Sequence, residues 1–243
     1  MPDTMTYDVK LAKREEVALG TMAFHFDKPA GFDFQPGQAV DVLLAEPPSA
    51  DARDARRTFS LVSAPFQDEL VVATRMRDSA FKRTLKALPP GSPARIEGPF
   101  GSLTLHRDRA RAAVFVAGGI GITPFMSILR QAARDRLPQR LLLVYSNRRP
   151  EDAAFLAELQ ELERRNSQFR LVATMTEMGK SSLPWNGETG LVNADLLRRC
   201  TRDLAAPVYY VVGPPAMVEA MQEVLRGAGA AGDDIRTEEF YGY

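Results

Sequence analysis

Up to about Leu105 the apolar residues come in short runs, broken every few positions by Gly, Pro or a charge. These runs predict strands at Tyr7–Ala18, Thr21–Asp27, Ala39–Leu44, Thr58–Ser63, Leu70–Arg75 and Ser92–Glu97. Short strands at this spacing predict an antiparallel β-barrel or sandwich. One helix, Ala80–Ala87, interrupts them and stops at Pro89-Pro90-Gly91, because proline has no N–H with which to continue a helix. Pro47–Arg56 reads as a mobile barrel loop and His106–Arg111 as a polar linker.

Beyond the linker the period changes. Apolar runs at Ala113–Ala117, Arg140–Tyr145, Phe169–Thr174 and Val208–Val212 alternate with amphipathic stretches at Thr123–Arg134, Glu151–Arg165, Ala194–Arg199 and Pro215–Arg226. A last strand is expected at Ile235–Phe240, and Gly187–Gly190 reads as a surface turn. Strands apolar on both faces and separated by helices predict an α/β doubly wound parallel sheet. The expected organisation is a barrel domain, 1–108, followed by an α/β domain, 109–243.

Composition narrows the partners. Lys+Arg and Asp+Glu balance at 31 each, which argues against nucleic acid or an anionic membrane. No apolar run approaches the roughly 20 residues of a membrane span, and the polar start MPDTMTYDVKLAKREE has no secretory core. Cys200 is the only cysteine, so this chain alone forms neither a disulfide nor a four-cysteine iron–sulfur site. His25 and His106 carry no catalytic spacing, and no metal-ligand cluster stands out. A cytoplasmic, soluble protein without a metal is expected.

The chemistry gathers at strand ends. Gly118, Gly119 and Gly121 lie between an apolar strand and a helix opened by Thr123 and Pro124. Glycines there let backbone approach a ligand, and the helix amides suit a pyrophosphate. Gly213-Pro214-Pro215 follows a second strand, and Ser146-Asn147-Arg148-Arg149 a third. Ligands of such sheets bind beyond the carboxyl ends of the strands.

Taken in order, Arg57-Thr58-Phe59-Ser60, Gly98-Pro99-Phe100-Gly101, GGIGITP, GPPAM and the tail EEFYGY resemble the ferredoxin–NADP reductase family over nearly the whole chain. The resemblance implies an NAD(P)H-dependent flavoprotein oxidoreductase with a flavin-binding barrel and a pyridine-nucleotide domain. It places Arg57 on the flavin phosphates, Thr58 and Phe59 along the flavin with Phe59 against its ring, and Ser60 near the reactive N5. Thr74, Arg75 and Met76 would run past the flavin, and Ser79 would open a helix toward a pyrophosphate, which fits FAD better than FMN. Gly118, Gly119 and Gly121 would admit the dinucleotide, Thr123 would reach the nicotinamide, and Gly213 and Pro214 would shape the pocket beneath it. Ser146, Arg148 and Arg149 fall at the adenosine ribose and lean to NADPH over NADH. Phe240 or Tyr243 would cover the flavin, and Glu239 would support proton movement. The catalytic assignments implied are Ser60, Thr123, Glu239 and Phe240.

Three positions depart from the family pattern. Phe59 replaces a tyrosine and loses one hydroxyl bond. Asp78 replaces a glycine beside the expected phosphate, and Val212 replaces a cysteine under the nicotinamide. Residue by residue, blander readings stay open: Arg57 as a solvated cation, Phe59 as core, Ser79 and Thr123 as helix caps, the tail as an edge strand. The expected function is hydride transfer from NAD(P)H to FAD, then electron delivery to a ferredoxin, flavodoxin, oxygenase component or small oxidant. The alternatives are an electron-transfer subunit active only within a larger complex, or a non-catalytic nucleotide sensor.

Overall fold

The computed structural model describes residues 5–46 and 55–241. Tyr243, and residues 47–54 of the expected barrel loop, lie outside the described residues. The chain divides into two compact units: Met1–Thr104 with Thr123–Gln131, and Leu105–Ile122 with Ala132–Tyr243.

The first unit contains β1 (Thr6–Ala18), β2 (Thr21–Asp27), β3 (Ala39–Leu44), β4 (Arg56–Ser60), β5 (Glu69–Arg75), α1 (Ala80–Ala87) and β6 (Pro93–Phe100). The strands pair antiparallel in the order β4-β3-β6-β1-β2-β5. A bridge between Leu61 and Val72 joins the two outer strands, so the sheet closes as the expected barrel. Strand alternation explains Phe24-His25-Phe26. Phe24 and Phe26 enter the core with Leu11, Val40, Val72 and Ile96. His25 instead meets Glu15 at 3.0 Å and Glu69 at 2.7 Å, linking β1, β2 and β5.

The second sheet has the order β10-β9-β8-β7-β11-β12 and is parallel throughout. Its strands are β7 (Ala113–Gly118), β8 (Leu141–Asn147), β9 (Phe169–Met175), β10 (Glu188–Thr189), β11 (Val208–Gly213) and β12 (Ile235–Glu239). The helices are α2 (Thr123–Arg134), α3 (Leu156–Arg165), α4 (Ala194–Thr201) and α5 (Pro215–Gly227). The chain fills one side of β7 with β8–β10, then returns to place β11 and β12 on the other. The order therefore reverses between β7 and β11, the usual place for a ligand in such sheets.

Three local expectations are corrected. The helix expected from Glu151 starts only at Leu156, after a short 3-10 turn at Pro150–Asp152. Phe155 has φ 60, which no right-handed helix accommodates, and Ala154 gives its carbonyl to the Tyr145 hydroxyl at 3.1 Å. The expected turn at Gly187–Gly190 contains β10, paired with β9. The Thr174 hydroxyl donates to Gly190 O at 2.7 Å and fixes it there.

The third correction is the linker. His106 is buried, and its N–H donates to the Tyr210 hydroxyl at 2.8 Å while Nδ1 lies 2.8 Å from the same oxygen. Nε2 faces Gln139 Nε2 at 2.8 Å and Arg111 O at 3.2 Å. Arg109 donates to Gln139 Oε1 and so fixes that amide with its N–H groups toward the ring. A neutral imidazole fits these partners; an imidazolium sets an N–H against the amide. Burial, aided by Arg236 and Arg111, holds the His106 pKa below its ordinary value.

The unfolded chain therefore takes up this proton first as pH falls below about 6.5. The His106 contribution is complete above that pH and is lost as pH falls toward the depressed folded value. Thermal melts at pH 7.5 and 5.5 check this: the drop in Tm should be smaller in His106→Asn than in the unaltered protein. Equal drops would acquit His106.

Candidate cofactor-binding sites

On β4 two adjacent arginines have different roles. Arg56 donates to the buried carboxylate of Asp41 through Nε at 2.7 Å and pairs with Glu97 at 2.7 Å. The Asp41 bond is the main reason its pKa is raised. The Thr58 hydroxyl donates to the other Asp41 oxygen. Arg57 points elsewhere: its guanidinium donates to Arg56 O at 2.8 Å and lies over the Phe81 ring at 5.6 Å. Phe59 also meets Phe81, centroid to centroid at 6.0 Å, and packs against the barrel core. Ser60 ends the strand. Its Oγ is buried without a hydrogen-bond partner among the described residues, an arrangement that costs about 1–3 kcal/mol when nothing satisfies it.

The next segment brings cations together. Ser79 caps α1, accepting from the Lys82 N–H at 3.2 Å. Lys82 Nζ donates to Arg75 O at 2.9 Å. Burial first, then Arg57 and Arg77, lowers the Lys82 pKa. Among the described residues none of Arg57, Arg77 and Lys82 pairs with a carboxylate. Asp78, whose charge looked awkward beside a phosphate, is exposed and pairs with Arg83. Thr74 is buried. The Met76 N–H is occupied by Gly20 O at 2.8 Å, and its side chain packs on the core. An orphaned hydroxyl, a helix cap and three cations without carboxylate partners fit a flavin bearing phosphates.

In the second unit the glycines divide. A Cβ on Gly121 would stand 2.4 Å from Val212 O, and one on Gly118 2.4 Å from Met217 Sδ. Both serve the close approach of β7 to β11 and α5. Gly213 belongs to the same contact, its Cβ position being 3.2 Å from Gly118 Cα. Gly119 differs: it has φ +53 and no atom within 4 Å of a Cβ, so its backbone faces open space. Thr123, which belongs to the first unit, is buried at the head of α2. Pro214 precedes α5 as its N-cap.

At the end of β8, Asn147 is buried and its Nδ2 has no partner among the described residues. Ser146 is half-buried and Arg148 exposed. Arg149 is held by the buried Asp152 through two bonds, 2.8 and 3.1 Å. Glu151 accepts from the Ser181 and Ser182 hydroxyls and the Ser182 N–H at 2.9–3.1 Å. Its own backbone N–H, then these donors, hold its carboxyl down to about 2. The carboxylates after this strand thus have partners already, while the Arg148 guanidinium forms no ion pair among the described residues.

The tail lies at the same edge. Glu239 pairs in register with Gly213, and the Phe240 N–H donates to Gly213 O at 3.0 Å. Tyr241 donates to the Glu239 carboxylate. Burial raises the pKa of Glu238. Lys82 was not among the residues expected at the sites, though three residues after the helix cap it was within reach of sequence reasoning. Asn147 stood in the segment expected at the adenosine ribose without a role of its own, and its orphaned amide now gives it one.

Residues 115–223 match the oxidoreductase NAD-binding domain family. Ferredoxin–NADP reductase B of Sorangium cellulosum is 31% identical over 81% of this chain and 80% of its own length. The reductase component of propane 2-monooxygenase from Rhodococcus jostii is 28% identical over 88% of this chain, which spans only 57% of that relative. Among solved structures, the ferredoxin NADP+ reductase of Neisseria gonorrhoeae, with bound FAD and NADP, superposes with a TM-score of 0.80 at 21% identity, covering 97% of this chain and 99% of that one. The Amycolatopsis cytochrome P450 reductase gives 0.82 at 22% identity, covering 98% and 71%.

Proposed function

The chain belongs to the ferredoxin–NADP reductase family, and from that premise we propose that it is a flavin-dependent reductase carrying electrons from NAD(P)H to a separate acceptor. The observation that carries this reading is the Ser60 hydroxyl, buried and without a partner among the described residues, on the strand that also presents Arg57. FAD held there would supply the two-electron chemistry that takes up a hydride from NAD(P)H and the one-electron chemistry that passes electrons onward. The chain supplies orientation and electrostatics.

Barrel domain 1–108 holds FAD in this reading. Arg57 and Lys82 bind its phosphates with the Ser79 cap, Phe59 lies against the ring, and Thr58, Thr74, Arg75 and Met76 shape the wall. Ser60 offers its hydroxyl at N5. Domain 109–243 holds the nucleotide, with Gly119 at the pyrophosphate and Gly118, Gly121, Gly213 and Pro214 framing the turn. Ser146, Asn147 and Arg148 take the adenosine ribose, Thr123 the nicotinamide, and Phe240 the covering position. Glu239 holds or releases a proton beside it. With no unpartnered carboxylate at the β8 end among the described residues, NADPH is the preferred donor.

Relatives named as reductase components of oxygenases favour a protein acceptor, an oxygenase component or a ferredoxin. No helix among the described residues is long and apolar enough to cross a membrane, and we assign the protein to the cytoplasm.

Reconstitution with FAD, FMN and riboflavin tests the flavin site. FAD should bind tightest. Lys82→Met should weaken FAD about tenfold, the equivalent of about 1.4 kcal/mol, and leave riboflavin, which has no phosphate, unchanged. Failure of every flavin to bind would sink the reading.

A further inference from the structure

The first turns of α2 pack with the barrel strands as part of one unit: Thr123–Gln131 belongs with Met1–Thr104. Two bonds account for this. Ser127 is fully buried and donates its hydroxyl to Ser63 O at 2.7 Å. Arg130 donates to Val62 O at 2.9 Å. Between them Ile128 packs so closely on Gly37 that a Cβ there would stand 3.1 Å from its Cδ1. Phe125, Met126, Ile128 and Leu129 are all buried.

The receiving carbonyls are equally fixed. Leu61 donates its N–H to Gln38 O at 2.9 Å and bridges Val72, and Val62 donates to Val71 O at 2.8 Å. The stretch from Ser60 to Ser63 is therefore pinned on the barrel and carries α2 on two successive carbonyls. A helix rises about 1.5 Å per residue, so Thr123 lies only about 6 Å along the axis from Ser127. Anchors this near the head of a stiff helix set the position of Thr123 relative to Ser60.

We propose that Ser127 and Arg130 are positioning residues for hydride transfer, fixing Thr123 against the strand that carries Ser60. The inference rests on the assignment of Ser60 to the flavin and Thr123 to the nicotinamide. In the step concerned, a C–H bond of the reduced nicotinamide breaks as an N–H bond forms on the flavin. Two electrons travel with the hydrogen; the nicotinamide is oxidised and the flavin reduced. A misplacement of about 1 Å costs such a step about 100-fold. Neither side chain is required to touch a ligand.

The test is anaerobic stopped-flow reduction of the FAD-loaded protein by NADPH, with Ser127→Ala, Arg130→Met and the conservative Arg130→Lys. Arg130 is only half-buried, so its variants keep the test open if Ser127→Ala fails to fold. The limiting rate of flavin reduction should fall about tenfold or more in Arg130→Met, with the Kd for NADPH and for FAD within about twofold of the original. The long-wavelength absorbance of the nicotinamide–flavin complex should weaken, and Arg130→Lys should restore most of both. A lowered Tm with an unchanged limiting rate would make these anchors merely structural and overturn the proposal. So would weaker NADPH binding at an unchanged limiting rate. If the unaltered protein is not reduced at all, the functional reading fails instead, and the two failures are told apart.

Discussion

Arg57→Met is expected to weaken FAD binding about 100-fold while riboflavin binding stays within about twofold. Hydrogen bonds to a charged partner contribute about 1.5–3 kcal/mol each, and a guanidinium offers a phosphate two of them. Two at the lower end give about 3 kcal/mol, or about two powers of ten in Kd. Arg57 suits this role because it pairs with no carboxylate among the described residues. The Phe81 ring beneath it and the Arg56 carbonyl hold its orientation. Arg56→Met is the informative contrast. It strips the buried Asp41 of its cation, so the barrel should melt at lower temperature with no preference for losing phosphate-bearing flavins. Fluorescence titration with FAD and riboflavin, beside a thermal melt, separates the two arginines. Equal losses of FAD and riboflavin in Arg57→Met would remove it from the phosphates.

The glycines of the nucleotide turn give the second large effect. Gly121→Ala places a methyl 2.4 Å from Val212 O and 2.7 Å from its carbonyl carbon, backbone atoms of the central sheet that have little room to yield. Overpacking of this kind costs about 1–3 kcal/mol, which in a chain of this size lowers Tm by about 3–10 °C. Gly119→Ala meets no atom at all, and its φ of +53 costs an L-residue only about 1 kcal/mol. Its methyl instead enters the space assigned to the nucleotide pyrophosphate. Tm should fall by only about 2–4 °C, while the Kd for NADPH should rise about tenfold. Calorimetry and nucleotide titration on both variants check the division. An unstable Gly119→Ala protein, or a Gly121→Ala protein of full stability, would reverse the roles.

The parallel α/β sheet was legible from hydrophobic period alone; for the first half the period left barrel or sandwich open, and the motif order pointed to the barrel. β2, β3, α1 and α2 fall where the pattern put them, since each is bounded by local signals such as the Ser79 cap and the Thr123-Pro124 start. What escaped was set by distant partners. The HRDRAR stretch has the composition of a linker, yet His106 is buried by a tyrosine 104 residues away. β10 is two exposed polar residues whose strand character comes entirely from β9. The break before α3 arises at Phe155, a residue with no intrinsic preference for positive φ.

The site shows the same limit. Motif order was enough to point to Arg57, Ser60 and the Gly-rich turn. It could not tell which arginine of Arg56-Arg57 is bound by Asp41, or that Arg149 is engaged by Asp152 while Arg148 is not. Nor could it separate Gly119, which faces open space, from Gly118 and Gly121, which face the protein. The Arg56–Asp41 pair and the glycine contacts join segments far apart in sequence, and the Arg149–Asp152 pair, though only three residues apart, depends on the turn before α3.

Every role assigned to these residues depends on the hydride half-reaction. The most direct measurement is the visible spectrum of the FAD-loaded protein during anaerobic titration, once with NADPH and once with NADH. The flavin spectrum should bleach stoichiometrically with NADPH, and with NADH only at higher concentration. A flavin that binds yet is bleached by neither nucleotide would contradict that half-reaction.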